Sequence, residues 1–326
     1  MYKEQGNKTV IGHIGVIILT LVCATAAWLP AFIFPSEPLL TEGGGSLYQL
    51  LFLPIQTQPI LSNCLALLLL VATISVQCWH SLQLRLVRTL SLLPALFILL
   101  LTGVLSPEHG ITPGIPAGMC LYIAFTYLSA PSESKSRFHS HTMGIFVALA
   151  SLFNPTYLFY LPLFVIGMHL LNKLTVANFI AALIGCCTPY ILWTGYLYLT
   201  DQTNIIQNLW EQLGQQFYVE WAWQVYETII IAIMGLSLLV TLFGFFSQRI
   251  DRIHPRMVLQ FSFAMGFSAL LLSLLYHDAQ HSITLILFTS LALTQHFAYY
   301  NKKRSIILFY SFITTLLLVY GAQLIL

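Results

Sequence analysis

Charge is what this sequence has least of. Asp, Glu, Lys and Arg make up 7% of its 326 residues, against roughly a quarter in an ordinary soluble domain. A water-soluble fold of that length needs far more charge to cover its surface, so soluble enzymes and soluble binding modules are excluded. No polar stretch long enough to fold as an aqueous domain separates the apolar runs. Internal repeats, low-complexity tracts, heptads and the basic patterns of nucleic-acid binders are also absent, so no nucleic acid is expected among the partners. The six cysteines, Cys23, Cys64, Cys78, Cys120, Cys186 and Cys187, all lie within apolar runs. Their spacing is neither a zinc pattern nor a redox pair, which makes them small apolar fillers. Ionisable residues are nearly missing from the centres of those runs, and this disfavours proton- or sodium-coupled transport. The polar groups that do occur there are neutral: Asn63, Thr73, Gln77, Asn178, Thr188 and Gln260, with Asn154 at a break.

What the chain has in abundance is apolar sequence, at 58%. Runs of membrane-crossing length fall at about 10–34, 61–79, 89–105, 115–130, 174–199, 224–246, 257–276, 282–298 and 305–326. Lys3 and Lys8 precede the first, and Ala24-Thr25-Ala26 resembles a cleavage site. The apolar run continues through Phe34, however, and is read as an uncleaved helix. A further block, 142–172, is interrupted by Asn154-Pro155 and is read as a broken helical hairpin. With that hairpin, all 13 Lys and Arg fall on one side of the membrane. Of the 11 acids, Glu37, Glu42, Glu108, Asp201, Glu211, Glu220, Glu227 and Asp278 fall on or near the other. The positive side is cytoplasmic. The expected fold is therefore all-α: a polytopic transmembrane helix bundle of about 9–11 membrane passages. Its N-terminus is expected in the cytoplasm, and residues 1–326 form one integral membrane domain of a bacterial inner membrane.

Two outer loops are long enough to carry structure, 35–60 and 201–223. In the second, Ile205, Leu209, Leu213, Phe217 and Trp221 recur every four residues with glutamines opposite, which predicts an amphipathic interfacial helix.

The outer rim supplies the candidate site. Glu37 and Glu42 follow the first span and could act as a catalytic general base. His277, Asp278 and His281 form an HDxxH stretch in which both imidazoles share a helical face, a workable spacing for a divalent metal. Asn154, at the helix break, and Trp210 and Trp221, able to stack on a sugar ring, are candidate substrate-binding residues. Each has a plain structural counterpart: acids that balance charge, prolines that kink helices, tryptophans that anchor at the interface. No Lys or Arg is expected on the outer face, so an enzyme gripping a lipid pyrophosphate there would need a bound metal in their place.

Leu152-Phe153-Asn154-Pro155, Pro162, Leu183-Ile184-Gly185-x-x-x-Pro189-Tyr190 and Leu197-Tyr198-Leu199-Thr200-Asp201 together resemble an uncharacterised family of polytopic inner-membrane proteins of Bacteroidota. The resemblance covers the middle third of the chain and implies a multi-span envelope protein. In architecture the chain is also similar to polytopic glycosyltransferases that use lipid-linked sugars, a likeness that would give Glu37 or Glu42 the acid/base position.

These readings converge on a membrane protein serving cell-envelope glycan or lipid assembly, with a lipid-linked glycan as candidate ligand. The alternatives are a non-catalytic membrane subunit that docks a partner membrane protein, and an uncoupled transporter or lipid flippase. All of them share the lipid bilayer as a partner.

Overall fold

In hydrocarbon, every backbone N–H and C=O needs a partner within its own segment, so long apolar runs become helices. The computed structural model describes residues 13–33, 44–84, 92–105, 110–131, 137–201, 225–247, 253–276, 280–299 and 303–325. They form α1 (His13–Ile33), α2 (Ser46–Leu51), α3 (Leu53–Gln56), α4 (Pro59–Gln83), α5 (Leu93–Leu105), α6 (Gly114–Ser129) and α7 (Arg137–Phe153). A 3-10 turn (Pro155–Tyr160) leads into α8 (Leu161–Leu170). Then follow α9 (Val176–Leu199), α10 (Val225–Ser247), α11 (Ile253–Tyr276), α12 (Gln280–Tyr299) and α13 (Lys303–Ile325). No strand occurs among the described residues, and the expected all-α polytopic helix bundle is the fold observed. Among the described residues, five segments are long and apolar enough to cross a membrane: Gly15–Ile33, Pro59–Gln83, Val176–Leu199, Thr228–Phe246 and Ile253–Tyr276. The amphipathic helix expected over 201–223 lies outside the described residues, apart from Asp201.

The core is built around α12. Every residue from Gln280 to Gln295 is buried, although Gln280, His281, Ser282, Thr284, Thr289, Ser290, Thr294 and Gln295 are polar. Helices α5, α6, α10 and α11 pack around it. Phe288 meets Phe125 edge-on at 5.1 Å, and Gln77 of α4 donates to the Ser290 hydroxyl at 3.0 Å.

Helix α1 belongs to the same bundle. Trp28 Nε1 donates to the Leu99 carbonyl, Asn63 Nδ2 to the Ala31 carbonyl at 2.9 Å, and the Tyr320 hydroxyl to the Ala27 carbonyl at 3.0 Å.

Glycine sets the closest helix pair. A Cβ on Gly144 would lie 2.2 Å from the Ala182 carbonyl oxygen, and one on Gly185 would lie 2.1 Å from that of His141. Only bare backbone allows α7 and α9 to approach that far. Further along both helices from this crossing, Ser151 hydrogen-bonds Tyr190, so the two helices run parallel. The chain between them must therefore run back, and it does so as the 3-10 turn and α8.

The two ends of this return are well fixed. At one end Asn154 hydrogen-bonds Gln280, beside which the start of α6 also lies: a Cβ on Gly114 would fall 2.4 Å from the Gln280 carbonyl oxygen. At the other, Lys173 Nζ donates to the Leu128 and Ala130 carbonyls, both at 2.6 Å, and so caps the far end of α6. Lys173 is carried there by a Schellman motif. Asn172 sits at φ 55, its N–H bonds the His169 carbonyl, and the Lys173 N–H bonds that of Met168. Burial lowers the Lys173 ammonium from its ordinary value to about 8.

Candidate functional site

The break in the hairpin carries a polar cluster. Proline at 155 cannot continue the hydrogen-bond ladder of α7, so the chain leaves the helix at Asn154, whose backbone is extended. The Asn154 side chain then caps the new turn, accepting at Oδ1 from the Thr156 N–H (3.1 Å) and the Thr156 hydroxyl (2.8 Å). Its Nδ2 donates to Gln280 Oε1 at the start of α12. The Tyr157 hydroxyl donates to the Gln280 carbonyl at 2.9 Å and accepts from Thr284 at 3.0 Å.

His281 completes the cluster. Its Nε2 lies 2.9 Å from the Thr156 hydroxyl and its Nδ1 lies 3.4 Å from the Tyr160 hydroxyl. The single Thr156 proton is committed to Asn154, so His281 Nε2 must donate to Thr156. That fixes the Nε2–H tautomer and leaves Nδ1 as acceptor from Tyr160. The ring stacks on Tyr157 at 5.0 Å and is flanked by Tyr160 and Tyr276. Asn154 and His281 are fully buried. Thr156 thus links Asn154 to His281, and Asn154, Thr156, Tyr157, Tyr160, Gln280, His281 and Thr284 include no acid and no permanent cation.

Among the residues proposed from sequence, then, Asn154 and His281 are brought together through Thr156. Glu37, Glu42, Trp210, Trp221, His277 and Asp278 lie outside the described residues. Among the described residues, no group of three or more His, Cys, Asp or Glu side chains is disposed to hold a metal ion. In its present tautomer His281 has one ring lone pair, and the Tyr160 hydroxyl faces it. Sequence reasoning did not single out Thr156, Tyr157, Tyr160, Gln280 or Thr284. The available signal was the spacing of Gln280 and Thr284 on one face of a helix that also carries His281.

A second layer of hydrogen bonds lies at the same end. The Gly45 N–H donates to the Phe153 carbonyl at 2.7 Å, one residue before Asn154. The Tyr48 hydroxyl donates to the Ile111 carbonyl at 2.6 Å, and the Ile111 N–H donates to Ser62 at 2.8 Å. Trp193 Nε1 donates to Ser46 at 2.8 Å and its ring stacks on Tyr196. The aromatic residues here have the amphipathic character of a membrane-interface belt.

Over residues 46–325 the chain matches the family described as "Family of unknown function (DUF6427)", and it belongs to that family. No curated protein and no solved structure matches it.

Proposed function

We propose that this member of an uncharacterised membrane family serves cell-envelope glycan or lipid assembly in the inner membrane of a bacterium. The N-terminus lies in the cytoplasm, and the chemistry belongs to the outer end of the bundle, around the Asn154 break.

The observation that supports this reading is the bond between Asn154 and Gln280, because it joins chain segments that lie close in sequence to outer acids. Glu42 precedes Gly45, whose N–H bonds the Phe153 carbonyl beside Asn154, by three residues, and Asp278 precedes Gln280 by two. Ile111, tied to Tyr48, follows Glu108-His109.

In the catalytic form, Glu37 or Glu42 removes the proton of an acceptor hydroxyl. The acceptor oxygen attacks the anomeric carbon of a lipid-linked sugar, and the lipid phosphate departs with the bonding electrons. His277 and Asp278 are the residues able to hold a divalent ion against the leaving group. His281 joins them only by surrendering its bond to Thr156 or to Tyr160. Trp210 and Trp221 supply stacking surfaces for the sugar.

A second reading is favoured by the way Asn154, Thr156 and His281 hydrogen-bond in sequence with one another. Side chains that partner each other suit a non-catalytic subunit, in which the break only shapes the bundle. Purification in mild detergent, with mass spectrometry of co-purifying proteins and lipids, separates the two. The catalytic reading expects a bound polyprenyl-linked sugar and loss of glycan transfer in Glu37→Gln or Glu42→Gln, with the protein still in the membrane. A stoichiometric protein partner, together with full tolerance of both changes, makes the subunit reading the correct one.

A further inference from the structure

At the opposite end of the bundle, basic side chains from four separate elements meet on one turn, Tyr127–Ala130, at the end of α6. Lys173 donates to the Leu128 and Ala130 carbonyls, and His254, at the start of α11, also hydrogen-bonds the Ala130 carbonyl. The ring of His139, near the start of α7, packs on Tyr127 at 5.9 Å. His80, at the end of α4, lies 2.6 Å from the Ser129 hydroxyl. Two facts go beyond the needs of helix capping. Lys173 has three N–H donors and spends two on carbonyls. His254 Nε2 is buried with no hydrogen-bond partner among the described residues, an arrangement that costs free energy unless something fills it. Arg137 and Arg256, on the same helix turns as His139 and His254, are exposed.

Exposed apolar residues lie within three positions of His139, Lys173 and His254 in the chain. Phe138 adjoins His139, Leu174 and Val176 follow Lys173, and Ile253 precedes His254; exposures run from 42% at Leu174 to 78% at Val176. A phosphate ion has no use for such a border. An anionic lipid needs both parts: cations for the headgroup and an apolar wall for the acyl chains.

We propose that His139, Lys173 and His254 seat the phosphate headgroup of an anionic phospholipid, with its acyl chains against Phe138, Val176 and Ile253. Lys173 offsets the negative end of α6, and its remaining N–H reaches the phosphate. The Ala130 carbonyl takes the Nδ1–H of His254, so His254 Nε2 joins the grip as an N–H donor once the phosphate's charge has drawn a proton onto it. The site lies at the other end of the bundle from the Asn154 cluster and does not depend on the function proposed for that cluster.

Native mass spectrometry of the full chain in mild detergent tests this with three probes: phosphatidylglycerol, phosphatidylcholine of the same acyl chains, and inorganic phosphate. The expected result is retention of phosphatidylglycerol over phosphatidylcholine, with no displacement by inorganic phosphate. Lys173→Gln should weaken that retention about fivefold, the effect of one cation at an anionic surface. If Lys173→Gln does not fold, the double variant His139→Gln, His254→Gln, which leaves both Lys173 bonds to the end of α6 in place, should weaken it instead. Equal retention of the two lipids overturns the proposal. Displacement by inorganic phosphate overturns the lipid as its source. Retention unchanged in every folded variant overturns it too.

Discussion

Asn154 combines two jobs that are usually done by different residues. Its oxygen caps the 3-10 turn, and its amide ties the broken hairpin to α12. Leucine at this position would fill similar space and leave Gln280 and Thr156 without those partners. An unsatisfied buried polar group costs about 1–3 kcal/mol. Asn154→Leu should therefore lower the midpoint of thermal unfolding in detergent by several degrees, whereas an unchanged midpoint would show that the cluster bears no stability. The importance of Asn154 was legible in the sequence, since asparagine before proline inside an apolar run has to break a helix. Its partner was not legible, because Gln280 is 126 residues away and nothing local links the two. His281 was singled out for its imidazole and for its spacing from His277. The structure gives it hydroxyl partners, which no motif encodes.

At the level of elements, apolar run length located the helices well. The run at 61–79 became Pro59–Gln83, 174–199 became Val176–Leu199, and 257–276 became Ile253–Tyr276. The observed helices extend further where polar ends continue the backbone ladder beyond the hydrophobic run. What the runs did not disclose was which helix is central. Apolarity alone does not separate the two kinds: α5, apolar but for Thr102, is buried almost throughout, α9 turns Ile191 and Leu192 outward, and buried α12 carries polar residues. In lipid this is physical: a side chain facing hydrocarbon must be apolar, whereas one facing other helices can be apolar or can hydrogen-bond. The pairing of α7 with α9 also escaped the sequence reading, although both crossing glycines were visible. Gly185→Leu should separate these helices and destabilise the protein by about 1–3 kcal/mol, the range for overpacking. Gly195→Leu is the matched control, because nothing lies within 4 Å of a Cβ there. Denaturant titration in detergent compares the two, and equal midpoints would refute the close-approach argument.

For the whole molecule, the decisive feature is the parallel course of α7 and α9. If the bundle spans the membrane as proposed, the segment between them must return to the side from which α7 started. A reporter fused after Lys173 should then read cytoplasmic, on the same side as one fused at Lys135. A periplasmic signal after Lys173 would invert every later segment and overturn the topology. The positive-inside pattern made this legible in outline, because only a hairpin keeps the 13 basic residues together. The packing of α1 was not legible. The family match begins at residue 46, yet Asn63 and Tyr320 both donate to α1 carbonyls.

The Asn154–Gln280 bond also has a bearing on synthesis. A ribosome adding about 5–20 residues per second reaches Gln280 roughly 6–25 seconds after Asn154 has emerged. Through that interval the hairpin apex exists with its partner unmade. A polar turn can wait that long where water reaches it, but not in the middle of hydrocarbon. Nascent-chain timing therefore gives a reason, independent of any activity, for the break to sit at one end of its helices rather than halfway along.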